Sequence, residues 1–334
     1  MKHLSLLGIL IATTATAGQN NTQQSDNAWY QQGQAKVKSL KSQTDFPKKA
    51  KNVIFFVGDG MSLATITASR IYQGQQNGED GEENLLSFEE FPYTALSKTY
   101  NTNLQTPDSA GTMSAMITGI KTKAGAISVD ERVQIGECGP KAHHTTSLLT
   151  EAEMAGFKTG IVSTARLTHA TPAATYAHAE KRSWESDHNM PKAQRKNCKD
   201  IALQLIEYSI GDGIEVAMGG GRYNFIGSKT ADPEYGLFSK GMREDQQDLT
   251  KAWLQKHDNA AYVWNQKQFD AIDTEQTDHL LGLFEPSHMQ YEIDRNDDQA
   301  GEPALKDMTA KALKLLQKDN TPYFLIVEGG RIDH

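Results

Sequence analysis

Val53-Ile54-Phe55-Phe56-Val57-Gly58-Asp59-Gly60 is a continuous apolar run broken by a glycine–aspartate–glycine turn. Five apolar residues without alternation predict a short strand buried on both faces, as in a parallel sheet covered by helices. Helical patterning then resumes over residues 63–72. The same order recurs: an apolar run at 159–162 precedes a polar loop, 215–218 precedes Gly219-Gly220-Gly221, and 323–327 precedes Glu328-Gly329-Gly330. Helical stretches at 145–155, 199–209 and 304–318 lie between them. Alternating strands and helices predict an α/β fold, a three-layer αβα sandwich around a mainly parallel central sheet. Functional groups in such sheets gather beyond the carboxyl ends of the strands, which is where the polar residues fall here.

The composition agrees with a large folded domain. The 334 residues are 38% hydrophobic and 23% charged, which excludes disorder, a collagen-like repeat and a disulfide-dense miniprotein. With 34 Lys and Arg against 42 Asp and Glu the net charge is −8, which disfavours nucleic-acid binding. Anionic small substrates stay open, since bound metal ions reverse the local sign at a site. Lys2, an apolar stretch at 4–12 and Ala15-Thr16-Ala17 predict a signal peptide over 1–17, and hence export to a bacterial periplasm or the medium. No later segment reads as transmembrane. Residues 18–50 are a polar lead-in and a weakly amphipathic helix over 29–40, either a solvated helix or an arm on another subunit. The remaining domain is expected over 51–334. Cys138 and Cys198 fit one disulfide or two buried thiols, and their spacing matches no zinc motif.

Several residues could carry chemistry. Asp59 follows a strand between glycines, so it is a metal ligand or a simple turn residue. Its glycines do not fit a dinucleotide fingerprint, because Leu63 stands where a third glycine would be. Asp108 or Ser109 could cap the helix after Pro107, or Ser109 could be a nucleophile at that helix's N-terminus. Lacking a local base, such a serine would need a metal ion to lower its pKa. His169 and Thr171 follow the strand near Val162, and Arg182 could fork onto phosphate oxygens. Glu328, Asp333 and His334 place three ionisable groups just past the last apolar run, a pattern suited to a metal site.

Taken together, Val57-Gly58-Asp59-Gly60-Met61, Pro107-Asp108-Ser109-Ala110-Gly111, Thr168-His169-Ala170-Thr171-Pro172, Met218-Gly219-Gly220-Gly221-Arg222 and Val327-Glu328-Gly329-Gly330-Arg331-Ile332-Asp333-His334 resemble the alkaline phosphatase family in order and spacing. The similarity runs from about residue 51 to the last residue. Gly282-Leu283-Phe284-Glu285-Pro286 and Tyr262-Val263-Trp264-Asn265 resemble its animal-type branch. Met113-Ser114 departs from the Ala-Thr of many members, within a helix where packing is the consequence.

The resemblance implies a phosphomonoesterase with two zinc ions and one magnesium ion, acting through a phosphoserine. Ser109 would be the nucleophile and Arg182 the phosphate clamp. Asp59 would bridge the magnesium site and one zinc. His169, Thr171 and Glu328 would complete the protein side of the magnesium site, and Asp333 would bind the other zinc. His334 matches a substrate-side position rather than a zinc ligand. Cys138 and Cys198 would be a disulfide. Glu234, Phe284 through its carbonyl, Glu285 and Glu302 resemble that branch's calcium site, an all-oxygen set suited to calcium. A homodimer acting on small phosphomonoesters is expected.

The family's further zinc histidines lie beyond Asp333, whereas zinc needs about four ligands with one position open in catalysis. The expectation is therefore a C-terminally incomplete chain of low intrinsic activity. The alternatives are a non-enzymatic metal- or phosphate-binding fragment, and a related phosphodiesterase or sulfatase.

Overall fold

The computed structural model describes residues 28–42 and 49–334, so the expected signal peptide and residues 18–27 lie outside the described residues. The chain divides into two units. The first, up to Lys49 together with 85–95, contributes helix α1 (Ala28–Ser42) and a short 3₁₀ turn at Ser87–Glu90. The described side chains of α1 are exposed over 33–39.

The second unit, 50–84 and 96–334, contains a six-stranded sheet. Its strands are β1 (Val53–Gly58), β2 (Lys158–Arg166), β3 (Val216–Gly220), β6 (Ala260–Val263), β7 (His279–Leu283) and β8 (Tyr323–Gly329). They lie in the order β1-β8-β2-β3-β7-β6, and every pairing is parallel. An antiparallel hairpin of β4 (Ala231–Asp232) and β5 (Gly236–Lys240) lies apart from this sheet.

The side-chain period of two divides the core between the sheet's faces. In β8, Phe324 and Ile326 join one apolar cluster, while Tyr323, Leu325 and Val327 join the other. The first face is covered by α3 (Ser109–Thr118), α4 (Leu148–Met154), α5 (Ala170–Tyr176), α6 (Ile201–Glu207) and α7 (Leu249–Lys256). Met113, Leu149, Ala173, Ile201 and Trp253 are their buried contributions. The opposite face is covered by α9 (Leu305–Gln317), which buries Met308, Ala312, Leu315 and Leu316 at helical spacing. Helices α2 (Leu63–Gln76) and α8 (Gln266–Asp270) complete the set. The expected three-layer α/β architecture is therefore observed.

Two details differ from the expectation. The strand at Val53 is not buried on both faces: β1 pairs with β8 alone among the described residues, and Phe56 is 62% exposed. An apolar run records which side chains can be buried, whereas burial depends on a neighbour that pattern alone does not name. The sheet also contains β6 and β7, which extend it beyond the four strands read from apolar runs.

Register brings the chemistry together. Glu328 of β8 stands level with Val57 of β1 on one side and Ser163 of β2 on the other. The carboxyl ends of three strands thus converge on one point.

Candidate active site

Asp59 follows directly on β1, and Gly60 adopts φ +62°. A Cβ built on Gly60 would lie 2.2 Å from Asp333 Oδ1, so glycine is what lets Asp333 approach here. Asp333 ends the turn Gly330–Asp333 after β8. Burial raises the Asp59 pKa and the charge of Asp333 adds to it, with Ser109 and Arg182 offsetting part of the shift. Two carboxylates so arranged invite a cation.

Ser109 is the first residue of α3, and Asp108 is its N-cap. Asp108 Oδ1 accepts from the Gly111 amide at 3.1 Å and from Asn101 Nδ2 at 2.9 Å. Its Oδ2 accepts from the Gly125 amide at 3.0 Å and from Arg182 at 3.1 Å. Burial opposes its ionisation, but the two amides and the guanidinium outweigh it and lower the pKa. The structural cap and the candidate nucleophile are therefore adjacent residues. The Ser109 hydroxyl donates to Asp59 Oδ2 at 3.2 Å. The helix N-terminus beneath it, with free amides and a favourable dipole, suits an anion.

Arg182 bridges two parts of the site. One guanidinium nitrogen contacts Asp108, and the other lies 3.0 Å from His169 Nε2. His169 is the N-cap residue of α5 and is 8% exposed. Burial lowers its pKa to about 3, with the charges of Arg182 and Arg166 acting in the same direction. The ring is therefore neutral, and its Nδ1 is buried without a partner. His288 and His334 complete an imidazole cluster, their centroids 5.1 and 5.9 Å from that of His169.

Glu328 is 1% exposed. Its Oε2 accepts from Ser163 Oγ, and its Oε1 is buried without a partner. Burial raises its pKa to about 7; Ser163 and Thr171 oppose the shift, while Asp59 and Asp333 add to it. An orphaned carboxylate oxygen among further carboxylates and hydroxyls is the donor set of a hard divalent cation. Asp59, Thr171 and Glu328 therefore fit magnesium chemically. Asp59 and Asp333 bring two further carboxylates together, a donor set for a divalent cation.

A second acidic group lies elsewhere. Carboxylate oxygens of Glu234, Glu285 and Asp298 fall within 4.8 Å of one another. Asp298, which sequence reasoning did not single out, occupies this cluster. Glu302 lies beside it, with Oε1 accepting from the Gln290 amide at 2.8 Å and Oε2 unpartnered. The Phe284 carbonyl accepts from Arg222 at 3.0 Å. Burial raises the Glu234 pKa to about 8, and Asp298 and Glu285 add to the shift, while Arg222 opposes it. The cluster adjoins a cavity of about 550 Å³ lined in part by Tyr235, Trp264 and Asp297.

Cys138 and Cys198 form a disulfide. His288 is the other residue that sequence reasoning passed over. It follows the quoted Gly282–Pro286 stretch by two positions, but a lone histidine in a loop carries no signal until the chain folds.

The alkaline phosphatase family model matches residues 50–334. The chain is 46% identical over 317 residues to the tissue-nonspecific alkaline phosphatase of Gallus gallus, covering 92% of this chain and 60% of that one. It is 43% identical to the corresponding Homo sapiens isozyme over 314 residues, with 92% and 59% coverage. The Thermus thermophilus alkaline phosphatase structure superposes with a TM-score of 0.66 at 27% identity, covering 88% of this chain and 53% of that one. A cold-active Shewanella sp. alkaline phosphatase structure gives a TM-score of 0.60 at 26% identity, with 83% and 56% coverage. The chain thus spans about three fifths of the length of the curated relatives it matches.

Proposed function

The chain belongs to the alkaline phosphatase family, and on that premise we propose that it carries the serine nucleophile and the phosphate clamp of a phosphomonoester hydrolase site. The observation that carries this reading is Ser109 at the N-terminus of α3, with its hydroxyl 3.2 Å from Asp59 Oδ2.

Ser109 is the nucleophile. Its hydroxyl proton lies toward Asp59 Oδ2 at rest, which orients an oxygen lone pair for in-line attack on phosphorus. Arg182 is poised one residue from the nucleophile through Asp108, and its planar fork suits two equatorial phosphoryl oxygens. The α3 amides add donors of fixed geometry, so little reorganisation is needed as charge shifts. Attack forms the Ser109 Oγ–phosphorus bond as the ester P–O bond breaks; Ser109 gives up its hydroxyl proton, and the departing alkoxide takes one from solvent to leave as the alcohol. Water then cleaves the phosphoserine, regenerating the hydroxyl and releasing phosphate.

Asp59 and Asp333 would hold zinc, and Asp59, Thr171 and Glu328 would hold magnesium, with His169 near the latter. When bound, these ions supply Lewis acidity that stabilises the attacking and leaving oxygens and lowers the serine pKa. Glu234, Glu285 and Asp298, with Glu302 beside them and the Phe284 carbonyl nearby, are the corresponding calcium candidates. His334 would face the substrate. Export, from the signal-like start, and homodimer formation, from the family, are parts of the same reading. No helix among the described residues is long and apolar enough to cross a membrane.

The test is hydrolysis of p-nitrophenyl phosphate with added Zn²⁺ and Mg²⁺. It is run on this chain with and without Ser109→Ala. Turnover lost in the variant, together with a trapped phosphoserine at residue 109, supports the reading. Equal turnover in the variant overturns it.

A further inference from the structure

Glu185 is a largely buried carboxylate with no part in the chemistry above, and four donors hold it. Its side chain is 13% exposed. Arg166 forks onto it, Nε donating to Oε2 and Nη2 to Oε1, both at 2.7 Å. The Thr168 hydroxyl donates to Oε2 at 2.5 Å, and Asn224 Nδ2 donates to the same oxygen at 3.1 Å. Asn224 Nδ2 also donates to the Thr168 hydroxyl at 2.8 Å. Thr168 and Asn224 are fully buried.

These donors come from the ends of two strands. Arg166 closes β2 and Thr168 leads directly into His169, the N-cap of α5, whereas Asn224 lies in the turn after β3. Glu185 stands three positions after Arg182, on the loop between α5 and α6. A closed circuit results. Arg182 lies 3.0 Å from His169, His169 follows Thr168, Thr168 bonds Glu185, and three residues of chain lead back to Arg182.

We propose that Glu185 is a positioning residue: it fixes the loop that carries Arg182 against the carboxyl ends of β2 and β3, and so sets where the guanidinium meets phosphate. The proposal rests on the clamp role given to Arg182 above.

Two considerations support it. A carboxylate so buried is costly unless its oxygens are bonded, and a guanidinium fork, a hydroxyl and an amide meet that need. A network satisfied in this way favours one arrangement over many. Arg182, by contrast, is lightly held at its tip, by Asp108 at 3.1 Å and by the His169 ring. Its orientation therefore depends on the loop beneath it. The Arg182 amide donates to the Gly125 carbonyl at 2.7 Å, Trp184 is fully buried, and Glu185 ties the loop to the strand ends. A misplacement of about 1 Å at such a group can cost about 10²-fold in rate.

The test reads the affinity for inorganic phosphate by isothermal titration on the 334-residue chain, in a cycle of Glu185→Gln and Arg182→Ala. Glu185→Gln keeps the size of the side chain but removes its charge and one acceptor. It should weaken phosphate binding about tenfold in the unaltered background, and at most about twofold where Arg182 is already replaced. Equal losses in the two backgrounds, the mark of a merely structural role, overturn the proposal, and so does an unchanged affinity. Tighter binding overturns it too, since Arg166 released from Glu185 would then be acting as a rival clamp. Should Glu185→Gln fail to fold, Thr168→Val takes its place in the cycle, with the same dependence on Arg182 expected and the same outcomes overturning it. If Arg182→Ala alone leaves phosphate binding unchanged, the clamp reading falls and this proposal with it, whereas equal losses in both backgrounds sink this proposal alone.

Discussion

Ser109 Oγ and Asp59 Oδ2 lie 3.2 Å apart although 50 positions separate them in the chain. The end of β1 and the start of α3 meet at this contact, which places a hydroxyl at a helix N-terminus against a carboxylate already crowded by Asp333. If Ser109 is the nucleophile, Ser109→Ala lowers kcat by several orders of magnitude, because no other group takes up the phosphoryl. Phosphate binding should persist through Arg182. Steady-state kinetics with isothermal phosphate titration separates the two effects.

Arg182 contributes a planar fork rather than charge alone. Arg182→Lys should therefore cost about 10²-fold in kcat/KM and Arg182→Ala about 10³-fold. Both should spare the fold, since the side chain is partly exposed (29%). Kinetics alongside thermal melts checks this. A lysine variant with full kcat/KM would show that the fork geometry is irrelevant.

Arg222 has the opposite character. Its side chain is fully buried, held by Asp232 at 2.7 and 2.8 Å, by Glu234 at 2.8 Å and by the Leu283 carbonyl at 3.0 Å. Removing it strands the Asp232 carboxylate in the interior. Arg222→Ala should destabilise by about 3–5 kcal/mol, and Arg222→Ala with Asp232→Ala by less than the sum of the single changes. Urea denaturation of the four proteins measures the coupling.

Glu153 and Glu215 give a pH signature far from the phosphoryl site. Thr159 links them, its hydroxyl donating to Glu153 and its amide to Glu215 at 2.7 Å. Burial raises their pKa values to about 8 and about 9. Both stay protonated in the folded protein where the unfolded chain has ionised them, so the folded state holds more protons. Their favourable contribution is complete below about pH 4.5 and is lost as pH rises toward 8–9. Glu215→Gln should raise Tm by several degrees at pH 9 and little at pH 5, which calorimetry at the two pH values reads directly. An equal shift at both would refute the linkage.

The Cys138–Cys198 disulfide closes a segment of sequence separation 60. Such a cross-link removes unfolded-state entropy, so its reduction should lower stability by about 2–4 kcal/mol. Denaturant melts with and without dithiothreitol, set against Cys138→Ala with Cys198→Ala, test this. The double variant should be insensitive to reductant.

Much of the fold and half of the site are legible in the residue order. The apolar runs at 159–162, 215–218 and 323–327 became β2, β3 and β8 because short runs bounded by polar residues have few other ways to be buried. Asp59, Ser109, Glu328 and Asp333 could be picked out because each follows a strand or opens a helix. His288 and Asp298 could not. Each stands in a loop, and a loop residue acquires a partner only through the path the chain takes in space. The edge position of β1 escaped for a related reason: Val53 and Ile54 state a preference for burial, and pairing decides whether it is met.

By itself the sequence determined the strand–helix alternation, a helix start just after Pro107 and the chemical kinds of the candidate groups, since periodicity, helix-start signals and donor type are local properties. The tertiary structure decided which of them meet. Parallel register set Glu328 level with Ser163, the left-handed Gly60 admitted Asp333, and three separate segments brought His169, His288 and His334 together. Those relations are distances across the fold, fixed by strand order and packing, and no local stretch of chain contains them.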